Sequence, residues 1–263
     1  MKLNQYLKIW KHVLFLELAA DMIYKLNFFI KFSAVFLADF LGPLGILFIY
    51  QHSAGIPGWT FAEFIIFTGT FTVTLGFGRL LFLEMPIRII QSVRDGSFDK
   101  YLTAPFHPLT YLTMHGWFTE GASSVIAGIV LIIWGLSHTA GYPALNIVAY
   151  LFLLLMAILF QHAIMILISA CALIYVKSWG VFELFFGIEK FARYPLNIFG
   201  PGLRIFLTFF FPVAISANYP LETLTKGFNT QIIFVVIIPV LIFYLISILF
   251  WNHAIKKYQS AGG

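Results

Sequence analysis

Cysteine occurs once in 263 residues, at Cys171, so the chain can close no internal disulfide and build no cysteine-based metal cluster. Charge is nearly as scarce, with 10% of residues charged against 60% hydrophobic and a mean hydropathy of +0.91. A soluble domain of this length does not have that composition. The phosphate-cradling pattern G-x-x-x-x-G-K-[ST] is missing, which leaves the chain without a nucleotide-hydrolysing loop of its own. H-E-x-x-H and G-x-S-x-G are missing too, and the histidines (His12, His52, His107, His115, His138, His162, His253) are scattered rather than paired at metal spacing. No catalytic residue, metal site or resident cofactor is therefore expected. No short apolar core followed by a small-residue cleavage site is apparent, so no cleavable signal peptide is expected either.

What is present is apolar and aromatic, including 31 Phe. The expected fold is all-α: a polytopic membrane protein with six transmembrane helices, over 30–51, 61–83, 109–136, 144–176, 203–217 and 231–251. The third and fourth stretches exceed the ~20 residues that a straight crossing needs, which predicts tilt or protrusion. Pro239 lies inside the sixth, where neighbouring helices can satisfy a freed carbonyl. The fifth is short, opens on Gly200-Pro201-Gly202 and is interrupted by Pro212. Residues 218–228 after it are too polar for lipid and too apolar for a plain loop, and read as a partly re-entrant outer segment; a frayed span with a surface loop is the alternative.

Residues 3–20 are interrupted by Lys8, Lys11 and Glu17 and do not cross. Leu3, Tyr6, Leu7, Trp10, Val13, Leu14 and Leu18 recur at helical spacing, as in a helix lying in the membrane interface. Lys25 and Lys31 flank the entry to the first span and can snorkel to the polar layer. On this layout fifteen of the sixteen Lys and Arg fall on one side and only Lys226 on the other, which predicts cytoplasmic N- and C-termini in the plasma membrane. The net charge of +5 is then a statement about topology, not about nucleic-acid binding.

The longest polar interval between apolar spans, 84–108, faces the cytoplasm on the same count. Pro86 suits a first helical turn, where its missing N–H has no partner to lose. Ile87, Ile90 and Val93 fall on one face with Arg88, Gln91 and Arg94 turned away, giving a short amphipathic helix stopped at Asp95-Gly96. A second polar-apolar turn follows over 97–102, and Pro105 and Pro108 re-aim the chain toward the membrane. Within the spans, Asp39, Glu120 and His162, with Glu63 at an outer end, are costly in hydrocarbon; each marks a substrate or proton path, or else an interhelical hydrogen bond or a group near enough to the interface to hydrate.

The run Arg94-Asp95-Gly96-Ser97-Phe98-Asp99-Lys100-Tyr101-Leu102, then Ala104-Pro105 and Pro108-Leu109, resembles the cytoplasmic loop between spans two and three of ATP-binding-cassette (ABC) exporter permeases of the type-2 class, in particular the subfamily described as uncharacterised or multidrug/viologen-type. Ala192-Arg193-Tyr194-Pro195-Leu196, Leu203-Arg204 and Phe211-Pro212-Val213-Ala214 are similar to the approach to span five, and Trp251 with the ending from Lys256 to Gly263 is similar to that subfamily's C-terminus. The resemblance implies a connecting helix over 3–20 and a coupling helix over 86–102 that sits in a groove of a separate nucleotide-binding ATPase subunit, which binds ATP and Mg. The coupling residues it implies are Pro86, Ile87, Arg88, Ile90, Val93, Arg94, Asp95, Gly96, Asp99, Leu102 and Pro105. It further implies a second permease subunit, identical or paralogous, contact with membrane lipids, and an amphiphilic, drug-, peptide- or lipid-like cargo. Two other functions remain open at this stage: a proton-coupled secondary exporter using Asp39, Glu120 or His162, and a non-transporting membrane assembly protein.

Overall fold

A computed structural model describes residues 3–43, 45, 50, 52, 56, 58–175 and 178–259, and every regular element among them is helical. Helix α1 is Leu3–Asp21, joined by a 3-10 turn at Met22–Tyr24 to α2, Lys25–Leu41. Helix α2 begins five residues before the expected first span; of the remainder of that span, residues 44, 46–49 and 51 lie outside the described residues. Helix α3, Phe61–Phe82, is the second expected span. It opens on a capping box: the Thr60 hydroxyl accepts from the Glu63 N–H at 3.2 Å and the Glu63 carboxylate accepts from the Thr60 N–H at 2.8 Å. Glu63 therefore serves a structural purpose.

Helix α4, Glu84–Arg94, leaves α3 almost without a break, because the intervening Leu83 keeps helical dihedrals (φ −64°, ψ −38°). After the short α5, Asp99–Leu102, the expected third span is in fact two helices, α6 at Pro108–Met114 and α7 at Gly121–Ser137. The non-helical link between them folds over the end of α3. The Phe118 N–H donates to the Leu80 carbonyl at 3.1 Å, and the Glu84 N–H donates to the Gly116 carbonyl at 3.2 Å. A Cβ at Gly116 would stand 2.6 Å from the Leu81 carbonyl, so this crossing of backbones needs glycine.

Helices α3 and α7 then run antiparallel at backbone contact. Gly69 and Gly76 on one, and Gly121, Gly128 and Gly135 on the other, recur every seven residues and lie on the shared seam. A Cβ at Gly69 would lie 2.8 Å from the Gly128 carbonyl, and one at Gly128 would lie 2.7 Å from the Gly69 carbonyl. Small residues in membrane helices permit such approach, and a seven-residue period keeps them on one seam. Helix α8, Ala144–Ile174, closes the other side of α3 through a Thr70–Tyr150 hydrogen bond of 2.8 Å.

The chain turns back at α9, Trp179–Glu189, and continues through 3-10 turns at Lys190–Arg193 and Leu196–Ile198. Glu189 hydrogen-bonds Gln161 in the middle of α8, Arg193 rests over the Phe71 ring midway along α3, and the Leu196 N–H donates to Asn218 at 2.9 Å. This segment thus climbs through the bundle. The 203–217 stretch expected to form the fifth span is instead split into α10 (Pro201–Ile205, with a π turn to Phe210) and a 3-10 turn at Val213–Ser216, and α11, Asn218–Lys226, follows in the expected outer segment. Arg204 and Lys226 share one cavity with Trp59 and Glu63, while the Ser216 carbonyl accepts from Thr74, midway along α3. The 201–226 segment therefore enters and leaves at the same end, and Arg204 sits at the end opposite 84–108, correcting the side that the charge count assigned to it. Helix α12, Ile238–Lys257, follows a π turn at Ile233–Ile237, a local widening next to Pro239, whose ring and missing N–H disturb a regular ladder.

Among the described residues three helices are long and apolar enough to cross a membrane alone: Phe61–Phe82, Ala144–Ile174 and Phe234–Lys257. The outer faces of α7, α8 and α12 expose Ile133, Leu155 and Leu249 among many large apolar side chains, a surface suited to lipid.

Candidate functional site

Two places carry the residues that the sequence singles out. The first is the 84–108 region. Met85, Ile89, Ile90 and Val93 are buried in the bundle core, and Pro86 is buried with them. Ile90 and Val93, expected as contacts for a partner, are thus turned into the protein itself, and Ile87 is only partly covered. Arg88 is engaged as well: its guanidinium donates to Glu17 of α1 at 2.8 Å and to Glu84 at 3.3 Å. Burial pushes the Glu84 carboxyl above the usual range, opposed by the Arg88 charge.

The helix stops as the sequence predicts, with the Asp95 N–H donating to Gln91 and Gly96 at φ +73°. Phe98 is fully buried, edge-on to Tyr258 near the C-terminus at 4.8 Å, so the loop is pinned at both ends. The exposed face that results carries Gln91, Arg94, Asp95, Lys100, Leu102 and Pro105, with Asp99 half-buried beside it.

The three ionisable groups predicted within the spans are not brought together. The Asp39 carboxylate accepts from Ser124 at 2.6 Å across α2 and α7. Glu120 lies in the link before α7 rather than inside a helix, 3.6 Å from Lys31. His162 stacks on Phe82 at 4.4 Å, with Thr113 and Tyr244 hydroxyls at 3.2 and 3.3 Å from its two ring nitrogens. Each has its own neutral or basic partner, which is the interhelical-bond reading, and together they form no proton chain.

Asp39 borders an open cavity. This second place, of about 200 Å3, lies along α3 between α2 and the 190–194 turn and is lined by Asp39, Thr68, Phe71, Thr72, Arg79 and Arg193. An adjoining cavity of about 190 Å3 adds Lys190 and the buried Glu189. Sequence reading missed this cluster because 177–202 carries enough charge to look like a loop. Two signals were available: Arg79 inside the apolar 61–83 run, and Gln161 in the middle of 144–176. Among the described residues no group of His, Cys, Asp or Glu suited to a metal ion occurs.

No curated protein and no solved structure matches the chain. A family model does, the one described as ABC-2 family transporter protein, over residues 36–262. That match takes in both the 84–108 region and the cleft along α3, and the chain belongs to the ABC-2 transporter family of membrane permeases.

Proposed function

We propose that the chain is the membrane subunit of an ATP-driven exporter in the plasma membrane. Its termini face the cytoplasm, it crosses six times (α2, α3, α6–α7, α8, the 179–198 segment and α12), and it works as a dimer with a second copy or a paralogue. The family supports the coarse part: its members are transport components that work with an ABC ATPase. The ATPase subunit would bring ATP and Mg. The cargo is amphiphilic, drug-, peptide- or lipid-like.

One observation carries this reading. Helix α4 continues α3 through a helical Leu83, buries Met85, Ile89, Ile90 and Val93 in the core, and keeps an exposed polar strip around Arg94 and Asp95. A partner pressing on that strip pushes a stiff element joined directly to the central helix, whereas a loosely tethered loop would absorb the motion.

The test is reconstitution of the chain with its ATPase subunit in vesicles. The Arg94→Gln/Asp99→Asn double variant is expected to lower cargo moved per ATP by about tenfold while hydrolysis continues, as loss of one charged docking contact pair predicts. Unchanged coupling, or transport by the permease with no ATPase subunit present, would overturn the proposal.

A further inference from the structure

The cleft along α3 holds more cations than it holds anions free to answer them. Arg79 and Arg193 border both of its cavities, and Lys190 borders one. Among the described residues neither guanidinium makes a hydrogen bond, or an ion pair within 4 Å, with a carboxylate; Arg193 lies over the Phe71 ring, 5.9 Å from its centre. The two acids nearby take their hydrogen bonds from elsewhere, although Glu189 also lies in the field of Arg79 and Arg193. Asp39 takes a hydrogen from Ser124 on α7, and Glu189 is buried against Gln161 on α8.

We infer that this cleft binds the anionic headgroup of an amphiphile, one bearing a phosphate or a carboxylate, between Arg79 and Arg193. The chemistry is complementary at each point. Guanidinium forks match phosphate and carboxylate oxygens two at a time. Cations at membrane depth are costly until neutralised, and a bound anion removes that cost. As cargo recognition the inference rests on the permease reading, but the binding itself does not.

The test uses the purified full chain in neutral-detergent micelles, without nucleotide or ATPase. Dodecyl phosphate is compared with dodecylphosphocholine, which has the same tail and no net charge, by native mass spectrometry. Dodecyl phosphate is expected to bind about tenfold more tightly, a difference of about 1.4 kcal/mol. Arg79→Gln/Arg193→Gln removes that preference, whereas Arg94→Gln on the distant exposed strip leaves it. Should the double Gln variant fail to fold, Arg79→Lys/Arg193→Lys keeps the charge and most of the preference, and Asp39→Asn, which removes a competing negative charge, raises it severalfold. Equal binding of the two probes, or a preference that neither the Gln nor the Asn substitution moves, overturns the inference. Dodecyl phosphate that also stimulates ATP turnover in the reconstituted complex is standing in for cargo; binding without stimulation identifies a resident lipid in the same site. Transport of a neutral amphiphile without any dodecyl phosphate binding would sink the cleft and leave the permease reading intact, and binding with no nucleotide-driven transport would do the reverse.

Discussion

The two flanks of α3 are built on opposite terms. Toward α7 it meets a helix at glycine, with carbonyl oxygens of one helix where a Cβ of the other would be, and toward α8 its Gly78 meets the Gln161 side chain. Toward α2 and the 189–194 turn it faces a cleft lined by arginine. The closed flank leaves no space for a ligand and no slack for independent movement. The open flank has both. A protein that must transmit a push and also admit a cargo needs these properties on different faces of one element, and α3 divides them.

The sharpest way to break that comparison is to place a side chain on the closed seam and another where a helix meets open space. Gly128→Leu on α7 drives a branched side chain into the backbone of Gly69 and Val73, and is expected to cost more than about 3 kcal/mol, seen as loss of monodisperse protein in detergent. Gly187→Ala on α9 meets open space and removes a helix-weakening glycine, so a gain of about 0.5–1 kcal/mol in thermal unfolding is expected. Equal losses from the two would mean that α9 is packed around Gly187 as tightly as the α7 seam.

A smaller effect is expected where the flanks meet. Gln161 on α8 reaches Glu189, which is 3% exposed, and supplies its hydrogen bond. Gln161→Leu leaves a buried carboxyl without that donor and is expected to lower stability by about 2 kcal/mol. Gln161→Leu/Glu189→Leu, with both polar partners replaced, is expected to recover most of the loss. A single variant as stable as the parent would mean that Glu189 draws its support from the cleft cations instead.

How much of this was legible in the sequence follows from what each residue type can signal alone. The uninterrupted apolar runs of α3, α8 and α12 were plain, because nothing but a buried or lipid-facing helix accommodates them. The stop at Gly96 was plain because it is a local backbone event. The break before α7 was not, since it exists only because Gly116 and the Phe118 amide meet the end of α3, a contact between distant parts of the chain. The climb of 179–198 was hidden for a related reason. Glu189 and Arg193 look like loop residues until Gln161 and the Phe71 ring are placed beside them. The amphipathic character of α4 was legible, but its buried face is centred on Met85, Ile89, Ile90 and Val93 with Ile87 only partly covered, and periodicity cannot say whether an apolar face meets a partner or the protein's own core.

The gentlest test concerns how firmly the interfacial helix is tied to the lever. Arg88 is the shared cation of Glu17 on α1 and Glu84 on α4, with its side chain 31% exposed. Arg88→Ala is expected to cost less than about 1 kcal/mol globally, since partly exposed ion pairs are weak. Its local effect is larger, and faster amide exchange in α1 measures it, because the Arg88–Glu17 ion pair joins α1 to α4 while the Asp21–Thr119 hydrogen bond and the Trp10–Trp117 ring contact at 5.0 Å hold α1 to the link before α7. The pH dependence has a fixed sign. Burial holds the Glu84 carboxyl above its unfolded value, so its contribution favours the folded state at low pH and is lost as pH rises through the folded value. Glu84→Gln is therefore expected to flatten that loss on the alkaline side without lowering stability at neutral pH. Arg88→Ala, by removing the charge that opposes burial, should steepen it. If the two variants shifted the unfolding temperature with the same pH slope, Glu84 would be fully hydrated and α4 less firmly docked than its buried apolar face implies.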